Sequence, residues 1–128
     1  MRLLLDTHVL LWAALEPSRL SEAVRQALAD VANVRLVSAV SAWEIAQKVR
    51  LGRLDLGGRV AEFLAQQADA LWLTPLPLTA AHAVLLAELP LLHRDPADRL
   101  LVAQALAESV TLVTADGSIR QYDVETLW

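Results

Sequence analysis

Short apolar runs alternate with segments of helical periodicity along the whole chain, and this alternation is what most limits its possible folds. Strands that are joined by helices pair in parallel, because a parallel crossover needs a connection of about a dozen residues. The helices then cover both faces of the sheet, so we expect an α/β fold with three layers and a mostly parallel sheet of four to five strands. Strands are predicted at 3–5, 35–38, 71–75 and 111–116, with a short edge at 122–128.

Capping residues mark where several of the predicted helices begin and end. Ser21 is a preferred N-cap, whereas Pro17 and Gly52 are stop signals for the helices before them. Asp95 and Pro96 open the longest helix, because Asp caps well and Pro fits the first helical position. The helices are predicted at 9–16, 21–31, 38–52, 58–69, 79–89 and 96–108.

Size and composition limit the class of protein. The 128 residues and 14.0 kDa fit a single domain, residues 1–128, with one core. The chain has no cysteine, which excludes a disulfide framework and a thiolate zinc site and suits a reducing compartment. The apolar run at the start is too short for a signal peptide, and no apolar stretch approaches the roughly 20 residues that span a bilayer. We therefore expect a cytoplasmic protein with no membrane contact.

Hydropathy and net charge bear on the partners of the chain. Hydrophobic residues make up 55% of it and the mean hydropathy is +0.40, which is high for a soluble domain of this size. Some apolar surface is therefore expected to meet another protein. The formal net charge of −4 argues against wide, nonspecific attraction to nucleic acid. It does not exclude a nuclease, because metal ions in an acidic cleft reverse the local field.

Four acidic residues lie where a strand or an apolar helix would bring a carboxylate to one edge of the sheet. Asp6 and Asp116 follow the first and fourth predicted strands, whose carboxyl ends would open onto the same crevice. Glu44 lies in the helix after the second strand, and Asp98 lies in the first turn of the longest helix. Carboxylate oxygens without thiolates are the ligands that Mg²⁺ or Mn²⁺ prefers, so the four acids predict a divalent-metal site.

Each acid also has a purely structural explanation. Asp6 and Asp95 both precede predicted helices and are good N-caps. Glu44 comes four residues before Lys48, which suits an ion pair on a helix. Asp116 precedes a glycine, as in a turn. Because the chain has 15 acidic residues, the carboxylates alone are a weak signal of function.

The sequence motifs around the acids are a stronger signal. They are DTHVLLW, SAVSAWEI, HRDPADRLLVAQA and LVTAD, in that order and across nearly the whole chain. Together they resemble the motifs of the PIN-domain ribonucleases, above all the VapC-type toxins of prokaryotic toxin–antitoxin pairs. The resemblance implies a PIN-like three-layer α/β/α fold and a metal-dependent endoribonuclease that a cognate antitoxin inhibits.

The resemblance also implies roles for single residues. No acid of the family pattern is missing, although Ala97 stands where relatives often carry a bulky aromatic side chain. That difference is expected to loosen packing without touching the chemistry. The catalytic and metal-binding acids would be Asp6, Glu44, Asp98 and Asp116, and the supporting residues would be Thr7, Asp95 and Thr114.

Such a carboxylate site supports hydrolysis of RNA phosphodiester bonds. One or two divalent ions would lower the pKa of a water and neutralise charge on the phosphate oxygens. Without metal, clustered carboxylates repel one another, so at least one of them should have a raised pKa. Basic residues near the acids are expected to bind the substrate, with surface charge or antitoxin contact as the alternative: Lys48, Arg50, Arg53, Arg94 and Arg99.

The histidines and tryptophans are expected to be structural. His8, His82 and His93 are too dispersed to form a zinc site. The four tryptophans are expected in the core or in an interface, although an exposed one could stack on a base.

Two other classes of protein share some of these features. Haloacid-dehalogenase-like phosphatases and phospho-acceptor domains also pair Mg²⁺ with an Asp at a strand end. The phosphatases need a second acid two residues after the nucleophile, where this chain has His8. The acceptor domains need an Asp after the third strand, which here ends in Thr74 and Pro75. The other alternative is a non-catalytic interaction module in which the acids are only caps.

Two protein partners follow from the resemblance. One is a small antitoxin, whose C-terminal segment would lie in a groove of the toxin and block the acidic site. The other is a second copy of the chain, because toxins of this type commonly form dimers. The helices at 58–69 and 79–89 would supply the dimer surface, because they have more apolar residues than a core-facing stripe requires: Phe63, Leu64, Val84, Leu85 and Leu86. The alternative is that these residues fill the core of the monomer.

Overall fold

The computed structural model describes residues 1–128 and has a strand near each predicted position. All five strands run parallel in one sheet, which confirms the predicted α/β architecture. Their order across the sheet is β3-β2-β1-β4-β5. The strands are β1 (Arg2–Leu5), β2 (Val34–Ser38), β3 (Leu73–Leu76), β4 (Thr111–Val113) and β5 (Thr126–Leu127).

Six α-helices connect the strands, and three of them end two or more residues earlier than the sequence predicted. The second helix stops at Ala29, the third stops at Arg50, and the fifth stops at Leu85 before a 3₁₀ turn at Leu86–Glu88. A tighter last turn of this kind is common at helix ends. The helices are α1 (Thr7–Leu15), α2 (Glu22–Ala29), α3 (Ala39–Arg50), α4 (Val60–Ala70), α5 (Ala80–Leu85) and α6 (Pro96–Glu108).

The third strand begins two residues later than predicted. Leu71 closes α4, with its backbone N–H donating to the carbonyl of Gln67. Trp72 then has a φ of 52°, in the left-handed region, so the chain turns there before β3 can start. The apolar pattern at 71–72 belongs to this turn, and periodicity alone does not distinguish it from a strand.

The strand order places a crevice above β1 and β4. The chain moves from β1 to β2 and β3 on one side, then returns to build β4 and β5 on the other. At such a reversal the connections leave toward opposite faces of the sheet, and a crevice opens at the carboxyl ends of the two central strands. The backbone N–H of Asp6 donates to the carbonyl of Val113 at 3.0 Å, so the residues that follow these strands lie side by side.

Side chains of the sheet alternate between two separate cores. Leu4 packs on one face with Leu101 and Val102 of α6, whereas Leu3 and Leu5 pack on the other face in the core that includes α1, α2 and α4. The helices therefore form layers on both sides of the sheet, as the three-layer prediction required. None of the helices is both long and apolar enough to cross a membrane.

The predicted dimer surface is corrected by this arrangement. Phe63 is buried in the core beneath α4, with Leu64 packed against the same core. Helix α5 lies against α6, on the opposite face of the sheet from α4. The two helices therefore do not present one continuous face, and of the five residues only Val84, 68% exposed, is largely open to solvent.

Candidate active site

Asp6 lies at the centre of the crevice and is almost completely buried. It is the N-cap of α1, since its Oδ1 accepts the backbone N–H of Thr7 at 2.7 Å. Its Oδ2 accepts the hydroxyl of Thr114 at 2.7 Å. The capping role and a place in the site are thus compatible, because the carboxylate uses a different oxygen for each contact.

Helix α3 brings Glu44 to the same crevice. The hydroxyl of Thr7 donates to Glu44 Oε1 at 2.6 Å and also contacts Ser41 Oγ at 2.9 Å. Lys48 makes no ion pair with Glu44, so the helical pair considered from the sequence is absent. Glu44 is therefore held by a residue that follows β1, which joins the first and second motifs in space.

The start of α6 supplies two further acids. Asp95 is its N-cap, with Oδ1 accepting the backbone N–H of Ala97 at 2.9 Å and Pro96 at the first helical position. Asp98 follows in the first turn, and its side chain is only 15% exposed. One carboxylate oxygen from each of Glu44, Asp95 and Asp98 lies within 4.8 Å of the others. Asp95 thus combines its capping role with a place beside the predicted acids.

Asp116 reaches the crevice from the loop after β4. Its backbone N–H donates to Thr114 Oγ1 at 3.0 Å, and its Oδ1 accepts the N–H of Ser118 at 2.8 Å. Thr114 therefore bridges Asp6 and Asp116 through one hydroxyl. The turn expected from the sequence is present, and it directs the Asp116 carboxylate inward.

Two histidines that were expected to be structural also lie in the crevice. His93 Nε2 is 3.1 Å from Asp98 Oδ2 and 2.9 Å from Asp116 Oδ2. His8 Nδ1 is 3.3 Å from Asp6 Oδ2, while His8 Nε2 accepts the N–H of Ala115 at 3.1 Å. The sequence places His8 two residues after an acid and His93 two residues before one, but only the fold brings the His8 ring from α1 and the His93 ring from the loop before α6 onto the carboxylates.

The third histidine keeps the structural role that was expected. His82 is buried in a capping box at the start of α5 and bonds to Glu108 at 2.8 Å. The tryptophans divide into two groups. Trp12 and Trp128 pack near the ring of His8, whereas Trp43 and Trp72 are 57% and 76% exposed.

Mutual repulsion and burial raise the pKa of two acids in the crevice. Burial, followed by the charges of Asp6, Asp95 and Glu44, raises the pKa of Asp98 to about 7. Burial also raises the pKa of Glu44, although the hydrogen bond from Thr7 opposes the rise. Raised values of this kind were expected for clustered carboxylates without a cation.

The histidine contacts shift pKa values on the other side of the crevice. Burial alone would raise the pKa of Asp116, but hydrogen bonds from His93 and from the Ser118 N–H lower it. Burial would lower the pKa of His93, but the bond to Asp116 and the charges of Asp98 and Asp116 raise it. The negative charge of Asp6 would raise the pKa of His8, but the effect of burial is larger and lowers it.

The donor set fits a hard divalent cation. Asp98 belongs to two groups whose ligand atoms lie within 4.8 Å of one another, one with Glu44 and Asp95 and one with His93 and Asp116. Oxygen ligands dominate both groups, as Mg²⁺ and Mn²⁺ prefer. A cation here would also offset the repulsion that raises the pKa of Asp98.

The basic residues near the site differ in their solvent exposure and in whether other protein groups already bind them. Arg50, Arg53 and Arg94 are exposed, and Lys48 is half-buried near Glu44. Arg99 instead turns away, because its Nη2 donates to the carbonyls of Leu86 and Leu89, each at 3.3 Å. Its guanidinium therefore holds the turn after α5.

Arg19, which the motifs did not single out, stacks on Trp12 with its Cζ 4.0 Å from the ring centroid, beside His8.

Comparison with known proteins gives the same family as the motifs. The model of the PIN domain matches residues 3–125. Ribonuclease VapC22 of Mycobacterium tuberculosis is 38% identical over 121 residues, which cover 93% of this chain and 90% of that protein.

Solved structures of similar fold include VapBC2 from Rickettsia felis bound to a promoter DNA fragment, with a TM-score of 0.77, 18% identity and coverage of 99% and 98% of the two chains. FitAcB from Neisseria gonorrhoeae has a TM-score of 0.64, 24% identity and coverage of 98% and 96%. VapBC-1 from nontypeable Haemophilus influenzae has a TM-score of 0.66, 13% identity and coverage of 99% and 97%. With a family model that spans nearly its whole length, this chain belongs to the PIN-domain family.

Proposed function

We propose that this chain is a metal-dependent endoribonuclease of the toxin type that hydrolyses RNA phosphodiester bonds at Asp6, Glu44, Asp98 and Asp116. The observation that carries the proposal is the convergence of these four acids, from four separate parts of the sequence, on one crevice. The 38% identity to a ribonuclease over 93% of the chain supports the same activity.

The metal would be Mg²⁺ or Mn²⁺, with Asp98 shared between the Glu44 side and the Asp116 side of the crevice. When bound, the metal activates a water and neutralises charge on the phosphate oxygens. The chain's own residues hold the ligands in place. Thr114 fixes Asp6 and the backbone of Asp116, and the Thr7 hydroxyl fixes Glu44, so these carboxylates have few orientations left to lose on binding.

The RNA would approach along the basic residues that remain free. Lys48, Arg50, Arg53 and Arg94 were predicted for this role. Arg19 lies next to His8, but its guanidinium is stacked on Trp12 and paired with Glu16 at 3.8 Å, so it is not among the free residues. Arg99 is left out, since backbone carbonyls already occupy its guanidinium. Phosphate contacts position a nucleic acid without reading its sequence, so these residues bear on affinity more than on the choice of cleavage site.

We further propose that the protein acts in the cytoplasm, forms a homodimer and is inhibited by a small antitoxin. The similar folds of VapBC2 and VapBC-1 were solved as two-component complexes. This chain has an apolar groove of about 580 Å³ between α3, α4 and β3 that suits a segment of another protein. Co-purification with a small protein encoded next to this chain would support the antitoxin, whereas full ribonuclease activity in the presence of that protein would argue against it.

Substitution of the acids tests the nuclease. Asp6→Asn and Asp98→Asn should each lower Mg²⁺-dependent RNA cleavage by at least about 100-fold, because an amide is a poor ligand of nearly the same shape. Far-UV circular dichroism should show an unchanged fold. Cleavage is measured on a structured RNA with Mg²⁺, with Mn²⁺ and with a chelator.

Two other aspartates serve as controls for that experiment. Asp95→Asn should be milder, since Asn caps a helix about as well as Asp. Asp69→Asn, at an exposed position on α4, should leave cleavage unchanged. Cleavage that survives in Asp6→Asn or Asp98→Asn would remove that residue from the site. Hydrolysis of phosphate monoesters without RNA cleavage would favour the phosphatase alternative.

A further inference from the structure

His93 contacts two of the proposed metal ligands at once. Its Nε2 is 3.1 Å from Asp98 Oδ2 and 2.9 Å from Asp116 Oδ2, and its side chain is 15% exposed. We propose that His93 is a positioning residue that holds these two carboxylates at the spacing needed to share one divalent ion. The inference rests on the proposed function, and it adds a residue to the four acids and their supporting threonines.

The orientation of the ring is set by the backbone. His93 Nδ1 accepts the N–H of Asp95 at 3.0 Å. The neutral ring therefore carries its hydrogen on Nε2, the nitrogen that faces the two carboxylates. A histidine whose second nitrogen is held in this way is a fixed donor, and residues that orient metal ligands commonly act in this manner.

The loop that carries His93 is held from a different element. Tyr122 Oη accepts the backbone N–H groups of Leu92 and His93 at 3.2 and 3.0 Å. The Tyr122 ring is buried in the core on the α6 side of the sheet. The imidazole is thus fixed at its ring nitrogen and at its backbone, so its contacts with the carboxylates do not depend on a free rotamer.

No other side chain bridges these two acids. Asp98 comes from α6 and its carboxylate accepts no hydrogen bond; its one close polar contact with a basic side chain is the 3.1 Å approach of His93 Nε2, whose hydrogen bond goes to Asp116. Asp116 comes from the loop after β4 and is otherwise held by Ser118. Without His93, two carboxylates on separate elements would face each other with no donor between them, and each would be free to turn away. Asp98 Oδ1 and the second lone pair of each Oδ2 stay available to a cation.

His82 provides a matched control within the same chain. Its Nδ1 accepts the backbone N–H of Thr79 at 3.1 Å and its Nε2 bonds to Glu108 at 2.8 Å, which is the same arrangement as in His93. Glu108 lies ten residues beyond Asp98, about 15 Å along α6. Loss of His82 should therefore affect stability without affecting the metal site.

Calorimetric titration of the full chain with Mn²⁺ tests the inference. His93→Ala should raise the Kd for Mn²⁺ by about 10- to 100-fold, as expected for a residue that orients ligands. His93→Gln should recover part of that loss, because its amide N–H can reach the position of Nε2. His82→Gln should lower the melting temperature and leave the Kd for Mn²⁺ unchanged. RNA cleavage by His93→Ala should need correspondingly more Mn²⁺ for half-maximal rate.

The outcomes separate this inference from the proposed function. An unchanged Kd in folded His93→Ala, with tight binding by the unsubstituted protein, would overturn the role of His93 alone. Circular dichroism checks the fold, and His93→Leu, which also lacks a donor, takes its place if the alanine variant is unfolded. Failure of the unsubstituted protein to bind Mn²⁺ or Mg²⁺ would overturn the metal site itself. An equal loss of Mn²⁺ affinity in His82→Gln would show a general effect of stability, and it would also overturn the proposed role of His93.

Discussion

At the scale of single residues, the acids of the crevice differ in how well their charges are compensated. Asp6 accepts from a backbone N–H and a hydroxyl, and Asp116 accepts from a backbone N–H and an imidazole. Asp98 accepts no hydrogen bond and has only the ion-pair contact with His93, and burial among other acids raises its pKa to about 7. The proton that Asp98 keeps in the metal-free protein is therefore the one that a bound cation would replace.

This raised pKa predicts how stability depends on pH. Asp98 titrates near pH 7 in the folded protein and near 3.8 when unfolded, so between these values the folded state binds more protons. The free energy of unfolding of the metal-free protein should therefore fall as the pH rises from about 4 to about 7. Asp98→Asn removes the buried charge, and at pH 8 it should stabilise the metal-free protein by about 1–3 kcal/mol.

Urea unfolding in a chelating buffer at pH 5 and pH 8 measures this effect. The raised pKa values of Glu44 and His93 act in the same direction as that of Asp98. The lowered pKa of His8 acts in the opposite direction below its usual value, and the lowered pKa of Asp116 acts only below the pH range of the experiment. Asp69→Asn, on the surface of α4, is the control. A stability that rises between pH 5 and pH 8, or an Asp98→Asn variant no more stable at pH 8, would contradict the assignment.

At the scale of elements, α6 connects the site to the far end of the molecule. Its first turn carries Asp98, and its middle packs into the core through Leu101 and Val102. It ends at Ser109, which is exposed and has a φ of 54° and a ψ of 48°. That left-handed conformation is costly for a residue with a Cβ and suits glycine at the end of a helix.

Ser109→Gly should therefore raise the free energy of unfolding by about 0.5–1 kcal/mol, because glycine adopts the left-handed conformation without strain. The side chain of Ser109 makes no hydrogen bond that would be lost. RNA cleavage should not change, since the substitution lies at the opposite end of α6 from Asp98. Thermal unfolding compares it with Ser109→Ala, which keeps the strained Cβ and should give no gain. A destabilised glycine variant would contradict this account.

At the scale of the whole molecule, the exposed apolar residues indicate where a second copy would bind. Once Phe63 is assigned to the core, the open apolar side chains near α5 and the loop after it are Val84, Leu91 and Leu92, which are 68%, 81% and 41% exposed. Isolated exposed apolar residues are normal, whereas a contiguous group of them favours an interface, so we place the predicted dimer contact on this part of the surface. This loop also leads into His93, so an interface there would border the metal site.

We predict that the purified chain is a dimer of twice 14.0 kDa by light scattering at micromolar concentration. Val84→Glu should convert it to the monomer, because a buried unpaired carboxylate in a two-fold interface is repeated in both subunits. Val31→Glu, which is 85% exposed between α2 and β2, should leave the mass unchanged. A mass of 14.0 kDa for the unsubstituted chain would rule the dimer out, and a dimer that survives Val84→Glu would move it to another surface.

Local patterns in the sequence determined the succession of strands and helices along the chain and the parallel pairing of the sheet. They also determined which acids follow β1 and β4. They did so because a buried strand, a cap and a strand-to-helix connection each need particular residues within a few positions of one another. The motifs also determined the family, since they recur in order over nearly the whole length of the chain.

Only the tertiary structure decided which side chains meet across long separations. His93 joins Asp98 to Asp116 because the loop before α6 folds over the carboxyl edge, where Tyr122 holds it. Arg99 is removed from the substrate rim by carbonyls of the turn after α5. Phe63 enters the core because α4 packs against the sheet with that face inward. Each outcome depends on contacts between distant segments, which periodicity and local spacing do not encode.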